Sequence, residues 1–116
     1  MFSYVVWIDH KKAKLYKLVA QGKIETKNIE SHGEQTESHT ERFFNDVAKL
    51  LKDSSEVLLV GPGLGKEHFK HHLEKHHNEQ IAKKIVGMLN ADDHMSEKEV
   101  LASARKFFRS YDILHD

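Results

Sequence analysis

The sequence predicts a single α/β domain built on a mixed five-stranded sheet. Three short strand-like segments follow one another within residues 1–31, and this succession indicates an antiparallel meander. Helical patterns then alternate with two short apolar runs, which indicates right-handed β-α-β crossovers. A chain of 116 residues has room for one modest core. Residues 1–116 are therefore interpreted as one domain.

The three N-terminal strands are predicted at 4–9, 13–19 and 24–31. The first of them (YVVWID) is rich in β-branched and aromatic residues. The second alternates only in part, and the third is weaker because few apolar residues support its alternation. The segment Gln21-Gly22-Lys23 is predicted to form the hairpin turn between the second and third strands.

The first helix follows a polar loop at residues 32–39 (HGEQTESH), which contains no large apolar side chain. Ser38 and Glu41 have the spacing of a capping box, in which each side chain bonds a backbone N–H of the other residue. The helix is therefore predicted to start at Ser38 and to end at residues 53–55. Its apolar stripe has helical spacing and consists of Phe43, Phe44, Val47, Leu50 and Leu51.

Two more strands and two more helices complete the pattern. Residues 57–60 (VLLV) form the continuous apolar run expected of a strand covered on both faces. A helix from about 66 to 77 and a strand at 85–89 follow. Ser96 and Glu99 then form a second capping box, which opens a third helix. The predicted order is β-β-β-α-β-α-β-α, which looks like the ribonuclease H-like arrangement.

Composition narrows the classes of function. Lysine plus arginine equals aspartate plus glutamate, at 18 each, so any RNA contact has to use local patches rather than an overall field. The absence of cysteine excludes disulfides and cysteine-based sites. No apolar run approaches the ~20 residues of a membrane span, and the N-terminus lacks the pattern of a secretory signal. We therefore expect a cytoplasmic protein without a membrane partner or a cofactor.

A metal-dependent nuclease or hydrolase on this fold would need several carboxylates at one end of the sheet. Asp9 ends the first strand and is the catalytic candidate. Glu41 or Asp46 on the first helix and Asp92 or Asp93 after the last strand are its possible companions. The fourth strand offers no carboxylate where another is needed. The simpler interpretation is that Asp9 shapes a turn, so a nuclease stays the alternative function.

The stretch VLLVGPGLGKEHF resembles a phosphate-binding loop between a strand and a helix. A Walker A loop needs four residues between its glycines and a hydroxyl after its lysine. Here Gly61 and Gly65 are one residue too close, and Glu67 follows Lys66. A helix N-terminus still binds anions through its N–H groups, so Gly63, Gly65 and Lys66 are the candidate anion-binding residues. The alternative is a tight strand-to-helix turn.

Histidines crowd the second helix. Five of the ten in the chain lie there: His68, His71, His72, His76 and His77. His68, His72 and His76 recur every four residues, a spacing at which helical imidazoles share a zinc ion. A helical wheel places His76 beside Phe69 near the core, His72 on the flank and His71 in solvent. Because no further ligand converges in the sequence, we expect no physiological metal and keep these three as candidates.

Several segments carry a family resemblance. They are VVWIDHKKAKLY, FFNDVAKLL before VLLVGPG, HLEKHH, KIVG, the Asp93-His94 pair and ARKFF. Together they resemble the middle domain of the archaeo-eukaryotic peptide-chain release factors and of their ribosome-rescue relative Pelota, where a GPG-type turn leads through a lysine and a phenylalanine into a helix. More closely, the chain resembles the small bacterial proteins grouped with that family, described as translational machinery component-like or host-attachment-protein-like. The similarity covers nearly the whole chain.

The resemblance also directs attention to the loop before the first helix. In release factors this loop carries Gly-Gly-Gln, whose glutamine reaches the peptidyl-tRNA ester. Here Gly33 and Gln35 match one glycine and the glutamine, but Glu34 breaks the motif. A carboxylate at that place would oppose the negative charge that develops on the ester. The resemblance therefore implies binding rather than peptide release, with Gln35 as a second catalytic candidate.

The function expected from the sequence is a non-enzymatic domain associated with the ribosome or with RNA. Its predicted contact surface joins the loop at 32–39, above all His32, Gly33, Gln35 and His39, to a cluster of lysines at the first hairpin. Those lysines are Lys11, Lys12 and Lys14. They are interpreted as a patch that contacts phosphates or, alternatively, as a solvated turn. A protein-interaction module is a further alternative, and the oligomeric state stays open.

Overall fold

Five strands and four helices follow one another in the part of the chain that the structure, a computed structural model, describes: residues 1–34, 36–76, 78–92 and 94–115, without the side chains at 21 and 115. The strands are β1 (Phe2–Ile8), β2 (Lys12–Leu18), β3 (Ile24–Glu30), β4 (Ser54–Gly61) and β5 (Ile85–Asn90). The helices are α1 (Glu37–Lys49), α2 (Gly65–Lys75), α3 (Glu79–Ala82) and α4 (Glu97–His115).

The strands form one mixed sheet in the order β3-β2-β1-β4-β5. β1 pairs antiparallel with β2, and β2 pairs antiparallel with β3. β1 pairs parallel with β4, and β4 pairs parallel with β5. The meander followed by β-α-β crossovers confirms the predicted α/β fold with its ribonuclease H-like sheet. Between β2 and β3 the predicted hairpin turn is a short 3₁₀ turn at Ala20–Gly22.

The sheet separates two apolar layers. One face packs against α1 and α2, where Phe44 and Phe69 are buried, and the other packs against α4 through Ala104. Central strands contribute to both layers, so Leu58 points to one and Leu59 to the other with no exposed surface. Burial on both faces explains why VLLV shows no polar alternation.

The two capping boxes had different outcomes. The N-cap of α1 is Thr36, in an extended conformation, with its Oγ1 accepting from the His39 N–H at 3.2 Å. The predicted start at Ser38 is therefore wrong by two residues. The second box is confirmed: Glu99 N–H donates to Ser96 Oγ at 3.1 Å, and Ser96 N–H donates to Glu99 Oε1 at 3.3 Å.

Other differences lie at the ends of elements. α2 ends at Lys75, and the short α3 follows it before β5. A four-residue helix has no periodicity to detect, although Ala82 is buried and Ile81 packs against the core. The predicted end of the first helix at 53–55 also overlaps β4, which begins at Ser54. Ser54 is buried, and its Oγ donates to the Leu51 carbonyl at 2.7 Å.

Candidate functional site

Asp9 organises the turn between β1 and β2, residues 9–12, called here the Asp9 turn. Its Oδ1 accepts hydrogen bonds from the backbone N–H groups of Lys11 and Lys12, each at 2.8 Å. Its own N–H donates to the Lys12 carbonyl at 3.0 Å. Aspartate commonly shapes turns in this way. Asp9 thus fixes the backbone from which the two lysines project.

Two loops converge on the Asp9 turn. The N–H of Ser31 donates to the Lys11 carbonyl at 2.6 Å, so the loop between β3 and α1 begins against the turn. Gly65, the first residue of α2, packs so closely that a Cβ there would lie 2.8 Å from the Asp9 Cα. The predicted contact surface and the predicted anion loop therefore meet at one end of the sheet.

The three predicted patch lysines have different environments. Lys11 and Lys12 are exposed, and the Lys12 ammonium lies 5.3 Å from the centroid of the Trp7 ring. Lys14 is paired with Glu97 at 2.7 Å, and the hydrogen bond from this carboxylate raises the lysine's pKa. Its charge is thereby offset, so the positive patch consists of Lys11 and Lys12.

The side chain of His39 packs against the loop between β3 and α1. Gly33 adopts a left-handed φ of 90°, and a Cβ at this position would lie 3.2 Å from the His39 ring. The His39 Nδ1 bonds the carbonyl of Glu34. His39 is half-buried, whereas His32 is exposed. His32 and Gly33 thus face solvent, while Gln35 lies outside the described residues.

The side chain of Lys66, where the loop between β4 and α2 meets the helix, is buried. Lys66 is 1% exposed, and its Nζ donates to the carbonyls of Gly61 at 2.8 Å and Gly63 at 2.9 Å. Gly61 has a φ of 150°, and a Cβ there would lie 2.3 Å from the Ile8 carbonyl oxygen. These contacts match the tight-turn interpretation. The expectation that Lys66 presents its charge to an anion does not fit this geometry, because the ammonium faces two carbonyls of its own loop.

The carboxylates of the nuclease alternative are divided between the faces of the sheet. Asp9 and Asp92 line one cleft of about 430 Å³ on the α4 face, whereas Glu41 and Asp46 belong to α1 on the opposite face. Asp92 Oδ1 already accepts from two backbone N–H groups, and Asp93 lies outside the described residues. Across the described ranges, no group of three or more histidine and acidic side chains is placed to hold a metal ion.

The burial of the histidines on α2 differs from that predicted by the helical wheel. His72, not His76, is the buried one: its Nε2 lies 2.9 Å from the Asn45 Oδ1, and its ring packs on Phe44. Burial, followed by the nearby His76, lowers the pKa of His72. His76, the residue after the end of α2, is exposed, and His71 is exposed as predicted. His68 turns away toward His10, and His77 lies outside the described residues.

Sequence reasoning missed the cleft on the α4 face. Besides Asp9 and Asp92, it is lined by Trp7, Tyr16 and Asn28 on the first three strands. The first turn of α4 borders the cleft through Glu97 and Val100. The alternation of Lys12, Lys14 and Tyr16 along β2 was the available signal for such a polar face.

Solved structures with a similar fold include translation factors. Archaeoglobus fulgidus Pelota has a TM-score of 0.65 at 18% identity, over 90% of this chain and 31% of that one. The archaeal translation termination factor aRF1 has a TM-score of 0.61 at 14% identity, over 96% and 40%. Saccharomyces cerevisiae Dom34, a translation termination-like factor involved in RNA quality control that interacts with Hbs1, has a TM-score of 0.56 at 16% identity, over 76% and 28%.

At these identities the likeness establishes the fold, and the chain spans about a third of the length of Pelota. No family model and no curated protein matches the sequence. The predicted fold relationship with Pelota and the release factors is therefore confirmed, and membership of the small bacterial group stays a prediction. None of the helices in the described ranges is long and apolar enough to cross a membrane.

Proposed function

We propose that the protein is a non-enzymatic domain that binds the ribosome or structured RNA, in the manner of a stand-alone release-factor middle domain in the cytoplasm. The fold likeness to Pelota, aRF1 and Dom34 supports a translation-associated role. The observation that carries the proposal is the hydrogen bond between Ser31 and Lys11, because it joins the loop before α1 to the exposed lysines.

The Asp9 turn supplies the positive charge. Lys11 and Lys12 are exposed and adjacent on a backbone that Asp9 holds. Phosphate contacts from such lysines position a protein on nucleic acid without reading its sequence. Since the chain has no net charge, attraction to RNA has to arise from local patches such as this one, which act within the Debye length of about 8 Å at physiological salt.

The loop before α1 supplies the second part of the surface. His32 and Gly33 are exposed, and His39 holds the loop near the start of α1. Glu34 stands beside Gln35 where the release-factor motif has a second glycine. A carboxylate there disfavours an anionic transition state. We therefore assign contact with RNA, and not ester hydrolysis, to this loop.

Cosedimentation with purified ribosomes at graded salt tests the proposal. We expect the wild type to bind at low salt and Lys11→Glu/Lys12→Glu to bind at least tenfold more weakly. The slope of log K against log salt concentration should also fall in magnitude by about one unit per lysine. The matched control is Lys106→Glu/Arg109→Glu, a double reversal of exposed charges on α4. No wild-type binding at low salt, or an equal loss in the control, would refute the proposal.

A further inference from the structure

A pair of histidines links the Asp9 turn to α2. The Nε2 of His10 lies 2.7 Å from the Nδ1 of His68, with the ring centroids 4.9 Å apart and the planes inclined by 51°. Both residues are exposed. They come from separate elements, 58 positions apart in sequence, and the two facing ring nitrogens are hydrogen-bonded to each other, with the donor set by the tautomer.

The distance between the two imidazole nitrogens is close to the separation of two ligand atoms on one metal ion. Zinc–nitrogen bonds are about 2.0–2.1 Å long, so two nitrogens on a tetrahedral ion are about 3.3 Å apart. The observed pair needs to open by only about 0.6 Å to admit an ion between its nitrogens, a change that side-chain rotation at the surface can supply. We propose that His10 and His68 form a binding site for a divalent transition metal ion of the Zn²⁺, Ni²⁺ and Cu²⁺ class, which favours imidazole.

The row of histidines along α2 is a poorer site than this pair. His72 is buried, and its Nε2 is engaged by Asn45. The His76 ring lies against the His72 ring, with centroids 4.4 Å apart, and its Nε2 is 3.9 Å from the Glu41 carboxylate. Sharing an ion between His72 and His76 would break the part-buried hydrogen bond to Asn45, whereas His10 and His68 lose the exposed hydrogen bond that joins them.

The site has two protein ligands. No third histidine or acidic side chain converges on it among the residues that the structure describes, so water completes the coordination and the ion exchanges readily. An ion held by both residues ties the Asp9 turn to α2 and therefore binds the folded chain in preference to the unfolded one. This inference does not depend on the proposed function, because it needs neither Lys11 nor Lys12.

Thermal unfolding of the full chain without an affinity tag, with ZnCl₂ or NiCl₂ as the ligand, tests the site, and isothermal titration gives the affinity. At free metal about 100 times the Kd, we expect Tm to rise by roughly 10 °C. His10→Ala and His68→Ala should each abolish the rise, and the double variant should lose no more than either single one. The matched controls, His71→Ala and His76→Ala, alter exposed histidines of the same region and should retain it.

Several outcomes would overturn the inference. They are a wild type whose Tm does not respond to either metal, a rise that survives His10→Ala or His68→Ala, and an equal loss in His71→Ala, which would mean scattered adventitious binding only. Circular dichroism without metal checks that the variants fold. His10→Gln and His68→Gln, which keep a polar side chain, replace the alanine variants if those unfold.

Discussion

Replacing Lys66 with methionine tests whether this lysine stabilises the glycine-rich loop between β4 and α2 or serves to bind an anion. The methionine keeps most of the buried stem but removes the ammonium, which donates to the carbonyls of Gly61 and Gly63. If the lysine stabilises the loop from inside, the variant should be less stable. If the lysine instead serves to bind an anion, the variant no longer has to bury an ammonium charge. Its free energy of unfolding should then be unchanged or higher.

The magnitude follows from the contacts. A hydrogen bond from a charged donor contributes about 1.5–3 kcal/mol, so two give about 3–6 kcal/mol. The Gly61 carbonyl also accepts from the Ala91 N–H at 3.2 Å, so it keeps one partner in the variant. These contributions are already net of desolvation. Because the Gly61 carbonyl keeps a partner, we expect a loss closer to that of one bond than of two, about 2 kcal/mol for Lys66→Met.

Urea denaturation measures this loss. With a slope of about 1–3 kcal/mol per molar urea, the midpoint should fall by roughly 1 M. Lys75→Met, an exposed position in the same helix, is the matched control and should change stability by less than about 0.5 kcal/mol. Equal midpoints for the two variants would refute the role of Lys66. So would an increase of wild-type stability by inorganic phosphate that Lys66→Met abolishes.

Two other predictions concern the core and the loop glycine. Burial lowers the pKa of His72 in the folded state. As the pH falls, the unfolded state therefore takes up the proton before the folded state does. The free energy of unfolding should be highest above about pH 6.5 and fall below it. His72→Gln should flatten that fall in urea titrations at pH 7.5 and about pH 5, and an unchanged profile would contradict the prediction. Gly61→Ala should cost about 3 kcal/mol or more, because of its φ of 150° and the 2.3 Å approach to Ile8. Gly22→Ala, with a φ of 77° and nothing within 4 Å, should cost about 1–2 kcal/mol in the same assay, and equal losses would contradict the argument from close packing.

The sheet could be predicted because its signals are local. The apolar run at 57–60 and the second capping box at Ser96 each specify their own conformation. Thr36 was missed as the N-cap because three hydroxyl residues compete within five positions (36–40), and the chain conformation before the helix decides among them. α3 was missed because a helix of four residues depends on its contact with the core rather than on its pattern.

The site could be predicted only in part, because the direction of a side chain depends on tertiary contacts. The sequence indicated that Lys11, Lys12 and the loop at 32–39 belong to one surface, and the Ser31–Lys11 bond joins them. It could not indicate that Lys66 turns inward, since its two acceptors exist only once the loop has formed. Nor could a wheel drawn for an isolated helix show that Asn45 of α1 captures His72.

The contacts of Asp9 fit a turn that supports a binding surface better than they fit the carboxylate cluster of a nuclease. Its Oδ1 is engaged by two backbone N–H groups, and the candidate carboxylates on α1 lie on the other side of the sheet. The same bonds, with the contacts from Ser31 and Gly65, fix the turn from three directions. Under the proposed function, a turn held in this way loses little backbone freedom when its lysines contact phosphates, so a smaller entropic cost opposes binding. Under the proposed function, the glycine-rich loop contributes to RNA binding through its packing against the Asp9 turn, which keeps the lysines of that turn in place.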